Sequence, residues 1–387
     1  MKTSAPSDHD DLRDAMRALC RSFPPEYHRN CAANDLYPEE FINTLTSEGW
    51  LAAMIPEAYG GAGLGLTEAS VIMEEINRSG ANAGHCHGQM YNMGTLLRHG
   101  SDAQKQAYLP RIASGELRLQ SMAVTEPTTG TDTTKIKTRA EKRGDHYLIS
   151  GQKVWISRVQ HSDLMILLAR TTPLDQVKRK SEGLSIFLVE IEPALKDGMR
   201  LNPIRNMVGH ETNEVFFDEL AIPASNLIGE EGKGFRYILD GLNAERSLIA
   251  AECIGDGYWF LEQARNYASE RVVFDRPIGQ NQGVQFPLAR AYAHVEAANL
   301  MRFEAVARFD AGKECGAQAN MAKLLAADAS FEAANACMQT FGGFGFAQDF
   351  DIERKFRETR LYQVAPISTN LILSYIAEHI LEMPRSF

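Results

Sequence analysis

The sequence predicts an α+β multidomain protein in which a helical domain, a middle β domain and a second helical domain follow one another along the chain. Three observations support this. Apolar residues recur at three- and four-residue spacing up to Leu119, β-branched and aromatic residues alternate in short segments from Ser121, and long periodic stretches return from Gly232. A chain of 387 residues also exceeds the roughly 100 to 200 residues of one domain. Domains are expected at 1–119, 120–231 and 232–387.

In the first domain, helical spacing runs through Phe41 to Leu51 and again through Ala69 to Ile76. The loop Pro56 to Gly65, with Tyr59-Gly60-Gly61-Ala62-Gly63-Leu64-Gly65, separates them. A glycine run can cradle phosphate, but this one does not follow a strand in a βαβ unit, and a flexible interhelical turn explains it better. In the second domain, His146 to Ser150, Lys153 to Ser157, Leu164 to Leu168, Ser185 to Val189 and Glu214 to Phe217 read as strands, with turns at Gly144-Asp145 and Gly151. Lys178-Arg179-Lys180 reads as a solvated loop tip. In the third, helices are expected over Phe235 to Glu270, Gln285 to Ala311, Ala317 to Phe341 and Thr369 to Leu381.

Composition narrows the function. The 44% hydrophobic and 23% charged fractions are those of a globular protein, and no stretch approaches the roughly 20 apolar residues that span a bilayer. Met1 to Asp11 is polar and acidic without an apolar stretch behind a basic start, so no leader and a cytoplasmic location are expected. A formal charge of −10 disfavours nucleic acid as a partner. The six cysteines, Cys20, Cys31, Cys86, Cys253, Cys315 and Cys337, form no CxxC pair and read as reduced thiols. His85-Cys86-His87 has no second ligand pair at tetrahedral-site spacing, so no metal is expected.

Two segments of the β domain carry candidate chemistry. Met122-Ala123-Val124-Thr125-Glu126-Pro127-Thr128-Thr129-Gly130-Thr131-Asp132 sets hydroxyls and backbone N–H groups in a turn forced by Pro127 and Gly130, a surface suited to a heterocycle rich in acceptors. Downstream, Gly151-Gln152-Lys153-Val154-Trp155-Ile156-Ser157 offers an indole and a hydroxyl. Trp155 and Ser157 are two apart and are expected on one strand face, the ring packing on a flat ligand and the hydroxyl meeting its edge. A turn followed by a strand tryptophan is equally an ordinary structural feature.

These segments resemble the flavin-contacting signatures of the acyl-CoA dehydrogenase family, usually TEPGxGSD and WIT. The resemblance continues through Arg271-Val272-Val273-Phe274-Asp275-Arg276-Pro277-Ile278-Gly279-Gln280-Asn281-Gln282 and Gln339-Thr340-Phe341-Gly342-Gly343-Phe344-Gly345, and covers essentially the whole chain in order. It implies a β-barrel or sandwich for the middle domain, a four-helix bundle for the last, and a homotetramer, a dimer of dimers, with FAD at a subunit interface. By the same match Val124, Thr125, Trp155, Ile156 and Ser157 contact the isoalloxazine. Arg271, Phe274 and Gln282 of one subunit, with Gln339, Gly342 and Gly343 of the neighbouring subunit, hold adenine and pyrophosphate. An arginine gives charge-assisted bonds to pyrophosphate, and paired glycines admit close approach. Thr131 stands where the family has a serine on the thioester side, and Thr128-Thr129 replaces the usual glycine-rich pair.

The resemblance also locates the base. Dehydrogenation needs a carboxylate to take the αC–H proton while the βC–H hydride passes to flavin N5. Many members carry that Glu in a C-terminal YEGTSQ-type loop. The matching stretch here, Tyr362-Gln363-Val364-Ala365-Pro366-Ile367-Ser368-Thr369-Asn370, has Pro366 in that place and retains Ser368, Thr369 and Asn370 beside the flavin. Isovaleryl-type and long-chain members place the Glu on a helix just before an Arg, as in Leu239-Asp240-Gly241-Leu242-Asn243-Ala244-Glu245-Arg246. Glu245 is therefore the expected base, although by itself it also reads as a solvated helix carboxylate. Asn243 and Arg246, three apart on one helical face, match the pair on the CoA side of the substrate, with Asn243 where the family more often has Asp. Glu252 is seven residues on and reads as a paired charge rather than a second pocket carboxylate.

The implied function is FAD-dependent α,β-dehydrogenation of an acyl-CoA, with electrons passed to an electron-transferring flavoprotein. Same-fold flavoenzymes with other chemistry, such as a desulfinase, a nitroalkane oxidase or an enoyl-CoA reductase, are the alternative, and such lines often lose the base. A non-enzymatic flavoprotein is disfavoured by the presence of Glu245 and the acidic balance. Ala365-Pro366-Ile367 in place of an aromatic–Glu–Gly triplet suggests room for a branched, cyclic or bulky acyl chain.

Overall fold

The computed structural model describes residues 9–209 and 211–385; residues 1–8 of the N-terminal stretch read above for a leader lie outside the described residues. In chain order the elements are α1 (Asp10–Arg21), α2 (Pro25–Ala33), α3 (Glu39–Ser47), α4 (Leu66–Arg78), α5 (His87–His99), α6 (Asp102–Ala113), β1 (Ser121–Ala123), β2 (Arg139–Arg143), β3 (His146–Ser157), β4 (Leu164–Arg170), β5 (Leu184–Glu190), α7 (Ile191–Lys196), β6 (Met199–Ile204), β7 (Thr212–Pro223) and β8 (Leu227–Ile228). There follow α8 (Gly234–Glu270), β9 (Val272–Val273), β10 (Arg276–Pro277), α9 (Gln282–Asp310), α10 (Gly316–Phe341), α11 (Ile352–Leu361) and α12 (Thr369–His379). The order helical, β, helical is the one expected. The chain assembles into two compact units, each drawn from segments distant in sequence: 39–64 with 84–242, and the residues up to 38 with 65–83 and 243 onward.

The first unit holds a sheet in the order β6-β7-β3-β2-β4-β5-β8, with β1 added beside β4. Neighbours are antiparallel, except that β1 and β2 each run parallel to β4. Strand β4 is buried along its whole length because its faces enter different cores. Met165, Leu167 and Ala169 join Tyr147, Phe187 and Phe217, whereas Leu164, Ile166 and Leu168 join Met93 and Leu96 of α5 and Leu109 and Ile112 of α6. Coverage on both faces is why β4 reads as an unbroken apolar run.

Two sequence expectations are corrected here. The segments read as separate strands on either side of Gly151 are one strand, β3. Its register with β7 shifts between Ile149 and Gly151 instead of turning, and a Cβ at 151 would lie 2.6 Å from the Thr138 Cα, so only glycine fits. The glycine run is no flexible turn either. Gly63 N–H donates to Ile55 O and Leu64 N–H to Ala53 O, both at 2.8 Å, and a Cβ on Gly61 would stand 2.1 Å from Ile55 O.

The second unit is helical. Ala319, Ala322, Ala326, Ala329 and Ala333 of α10 are buried with Ile249, Cys253, Tyr258 and Phe260 of α8 and Val295 and Ala298 of α9. Small side chains on α10 let the three long helices approach closely. Buried charge ties in the N-terminal helices: Glu74 of α4 accepts from Arg13 of α1 at 2.7 Å and Arg302 of α9 at 2.6 Å. Asp310, the last residue of α9, caps α4 by accepting from Leu66 N–H at 2.7 Å and Thr67 N–H at 2.9 Å. Helix α11 went unread because it is mostly charged, yet Arg354, Lys355 and Glu358 are its buried face.

Candidate active site

The β unit joins the two segments read as heterocycle-binding. Val154 N–H donates to Thr125 O at 2.9 Å, so Thr125 lies beside the end of β3. Lys153 locks the arrangement: fully buried, its Nζ donates to Val124 O at 2.9 Å and to the Glu126 carboxylate at 3.0 Å. Glu126 also accepts from Lys137 N–H at 2.6 Å and Thr138 N–H at 2.8 Å. Burial pushes the Lys153 ammonium down to about 8 against the opposing pull of Glu126. The Val124–Glu126 turn is thus held from beneath by a buried ion pair, and removing one partner of such a pair costs about 3 to 5 kcal/mol.

The simple alternation expected for Trp155 and Ser157 does not hold. The register of β3 against β7 shifts between Lys153 and Ile156, and Trp155 lies in that bulge with φ 61°. A bulky residue at positive φ is an outlier that its surroundings must sustain. Here it leaves the indole 59% exposed while Ile156 turns into the sheet core and Ser157 is half-buried. Any contact of Ile156 with a ligand falls to its backbone. Thr131 is exposed on the loop between β1 and β2.

The helical unit repeats the motif of an aromatic held out at positive φ. Strands β9 and β10 form a hairpin whose two loop residues, Phe274 (φ 53°) and Asp275 (φ 63°), are left-handed, and the Phe274 ring is 93% exposed. Beside it a groove of about 610 Å³ is lined by Tyr267, Arg271, Ile278, Phe341, Gly343 and Phe344. Arg271 stands over the Phe344 ring at 5.9 Å, and Tyr267 stacks on Phe341 at 4.1 Å. Arg271 and Gly343, assigned by resemblance to different subunits, border one groove of a single chain. Gly342 gives its own N–H to Met338 O at the end of α10, so what it offers a ligand is close approach. Gln282 and Gln339 are exposed nearby in sequence, at the start of α9 and the end of α10. One cation, several ring faces and exposed glycine backbone suit the adenine and pyrophosphate of a dinucleotide, and the outward indole of Trp155 suits a flat tricyclic ring. The residues present fit FAD.

Glu245 is on α8 and only 6% exposed, which discards its reading as a solvated helix carboxylate. Arg246, also buried, donates to Asn243 Oδ1 at 2.9 Å, so the two share one face of the helix. Burial pushes the Arg246 guanidinium down, with Glu245, Tyr375 and Cys315 opposing. Glu252 is fully buried and accepts from Tyr362 Oη at 2.9 Å, a hydrogen-bonded interior carboxylate. Pro366 is exposed. Ser368 accepts from Leu371 N–H at 3.4 Å as the N-cap of α12, which leaves its hydroxyl proton for another acceptor, and Asn370 is exposed in the first turn.

Sequence reasoning missed Lys323. It is fully buried on α10 and its Nζ donates to Tyr362 O and, at 2.7 Å, to Ile367 O, pinning both ends of the loop that carries Pro366. Burial lowers its pKa to about 8, with Cys253, Asp328 and Glu245 opposing and Arg246 adding to the fall. A lone charge in the apolar run Ala322-Lys323-Leu324-Leu325-Ala326 was the available signal. Lys153 on β3 and Arg158 directly after it were missed for the same reason, as single cations that the fold buries. None of the six cysteines is joined in a disulfide, and five of them are buried. Among the described residues no cluster of three His, Cys, Asp or Glu is placed to hold a metal, and no helix is long and apolar enough to cross a membrane.

Comparison with known proteins spans the chain. Family models for the acyl-CoA dehydrogenase N-terminal, middle and C-terminal domains match residues 6–116, 121–220 and 232–381. An acyl-CoA dehydrogenase of Mycobacterium bovis is 33% identical over 381 residues, covering 97% of this chain and 96% of the relative. One from Bacillus subtilis is 34% identical over 350 residues, covering 90% and 91%. The structure of butyryl-CoA dehydrogenase from Megasphaera elsdenii superposes with a TM-score of 0.91 at 25% identity, covering 98% of this chain and 100% of that one.

Proposed function

This chain belongs to the acyl-CoA dehydrogenase family, FAD-dependent oxidoreductases, and from that premise we propose that Glu245 is the general base that takes the α proton of an acyl-CoA thioester. The product is the trans-2-enoyl-CoA. One observation carries the assignment: the carboxylate on α8 is buried, whereas the loop after α11 presents Pro366, which cannot accept a proton. Bound FAD supplies the two-electron sink for the hydrogen that leaves Cβ. The chain's own residues do the rest. Asn243 and Arg246 orient the CoA side, and Thr131 offers a hydroxyl on the thioester side. Val124, Thr125, Trp155, Ile156, Ser157, Ser368 and Asn370 bind the isoalloxazine end, and Arg271, Phe274, Gln282, Gln339, Gly342 and Gly343 bind the adenine and pyrophosphate end.

Electrons leave for an electron-transferring flavoprotein, and the working form is a homotetramer. Phe274, Phe286 and Leu300 are large apolar side chains left exposed on the single chain, and covering them on assembly supports this reading; light scattering that returns a monomer carrying tight FAD would contradict it. Glu245→Gln keeps size and packing but removes the proton acceptor. The variant is expected to retain FAD and bind acyl-CoA, while anaerobic flavin bleaching near 450 nm slows by on the order of 100- to 10,000-fold. Bleaching at close to the wild-type rate would move the role to another carboxylate.

A further inference from the structure

Buried arginines in this protein are, with one exception, provided for. Arg13, Arg302 and Arg354 meet carboxylates within 3.0 Å, Arg246 lies by Glu245, and the Arg170 guanidinium is surrounded by the carbonyls of Thr134, Ile136, Thr172, Lys180 and Glu182. Arg158 is different. It is 4% exposed, its Nη1 donates to Gly84 O, its Nη2 meets His87 Nε2 at 3.2 Å, its Nε lacks a partner as do those of Arg13 and Arg246, and among the described residues no carboxylate pairs with it. A guanidinium out of water without a counter-ion costs several kcal/mol unless an anion arrives with a ligand.

Three polar atoms of the same unit are also unmatched. Gln89 Oε1 and Asn92 Oδ1 on α5 and Ser121 Oγ at the start of β1 are buried without a hydrogen-bond partner. Helix α5 packs against β1, and Gly88 makes this possible: a Cβ there would lie 2.4 Å from Gln120 O and 3.3 Å from Arg158 Nη2. Gln89 and Asn92 flank that contact by one and four residues, and their amide N–H groups are given to Leu51 O at 3.4 Å and Leu119 O at 3.5 Å, which leaves only acceptor oxygens unmatched. The location is telling. Arg158 directly follows Ser157, and Ser121 lies three residues before Val124, so these two border in sequence the two segments assigned to the isoalloxazine. Arg158 has φ 60°, which turns it out of the line of β3 towards Gly84 and His87.

We propose that Arg158, with the Ser121 hydroxyl, forms a subsite for a carboxylate on the acyl chain, so that the substrate class is an acyl-CoA bearing a second, terminal carboxylate. The inference rests on the dehydrogenase reading above and deepens it. A planar guanidinium gives a carboxylate two parallel charge-assisted bonds, and a serine hydroxyl adds a donor to an acceptor-only ligand. A purely hydrocarbon chain would leave Arg158 Nε and Ser121 Oγ without partners.

The test pairs ω-carboxyacyl-CoAs with unsubstituted acyl-CoAs of matched length on the wild-type holoenzyme. Flavin reduction measured as kcat/KM is expected to favour the carboxylated series, and Arg158→Met is expected to lower the ratio of the two by on the order of 10- to 100-fold, with Arg158→Lys keeping part of it. Binding is followed in parallel by calorimetry with redox-inert thioether analogues of both series, which reads the subsite without turnover. Equal or tighter binding of the unsubstituted analogue to the wild type overturns the subsite, as does an unchanged ratio in Arg158→Met, which would make the arginine only a clamp on residues 84–87. If neither series bleaches the flavin while the carboxylated analogue still binds tighter, the dehydrogenase reading fails and the subsite stands.

Discussion

Helix α8 and the loop between α11 and α12 are the two places where family members keep their base, and this chain treats them oppositely. On α8 the carboxylates of Glu245, Glu252 and Asp256 all point into a packed interior. In the loop, Val364 and Pro366 are exposed and no acidic side chain occurs between Tyr362 and Asn370. The two regions are nonetheless tied: Tyr362 donates to Glu252, and Lys323 donates to Tyr362 O and Ile367 O while lying within electrostatic reach of Glu245. The loop is anchored at both ends, which fixes where Ser368 and the start of α12 lie.

The comparison breaks most visibly at the two base positions themselves. Glu245→Gln should slow flavin reduction by on the order of 100- to 10,000-fold, whereas Pro366→Ala should change it by no more than a few-fold; comparable losses in the two variants would return the chemistry to the loop. The next effect belongs to the tether. Lys323→Met leaves two loop carbonyls without their donor, at about 2 to 5 kcal/mol for the two together, and thermal or urea unfolding should show it. A loss below 1 kcal/mol, roughly the scale of a surface change, would mean the loop is held by something else.

Smaller effects sharpen the picture. Tyr362→Phe removes the donor to Glu252 and should cost about 1 to 2 kcal/mol while leaving the Glu245-dependent rate nearly unchanged; a rate loss like that of Glu245→Gln would bring Glu252 into the chemistry. The smallest expected signal is a pH slope. Lys323 releases its proton at about 8 in the folded protein against an ordinary value of 10.5, so the unfolded chain binds more protons between those values. Stability from this site is therefore fully present above about 10.5 and is lost as pH falls through about 8. Stability of the wild type should rise with pH across that window, and the rise should be flatter in Lys323→Met; identical slopes would place the lysine in a more polar setting.

Some of this was legible in the sequence because it depends on local pattern. The helices α8, α9, α10 and α12 begin and end within a few residues of their periodic stretches, and β4 and β5 follow from their apolar runs. Other elements were not legible. Strand β2, Arg-Ala-Glu-Lys-Arg from 139 to 143, has the composition of a solvated loop and is a strand because β3 pairs with all five residues. The expected strand face shared by Trp155 and Ser157 failed because a bulge is decided by the partner strand β7, not by β3 itself.

What the sequence determined by itself was therefore the helical, β, helical order, the absence of an acid at Pro366 and the presence of one at Glu245, since residue identity and short-range periodicity are local properties. Only the tertiary structure decided which charges lose their water. It left Lys178-Arg179-Lys180 exposed and buried Glu245, Lys153, Lys323 and Arg158. The cost of moving a charge out of water depends on every neighbour that replaces that water, and those neighbours come from strands and helices far away in the chain.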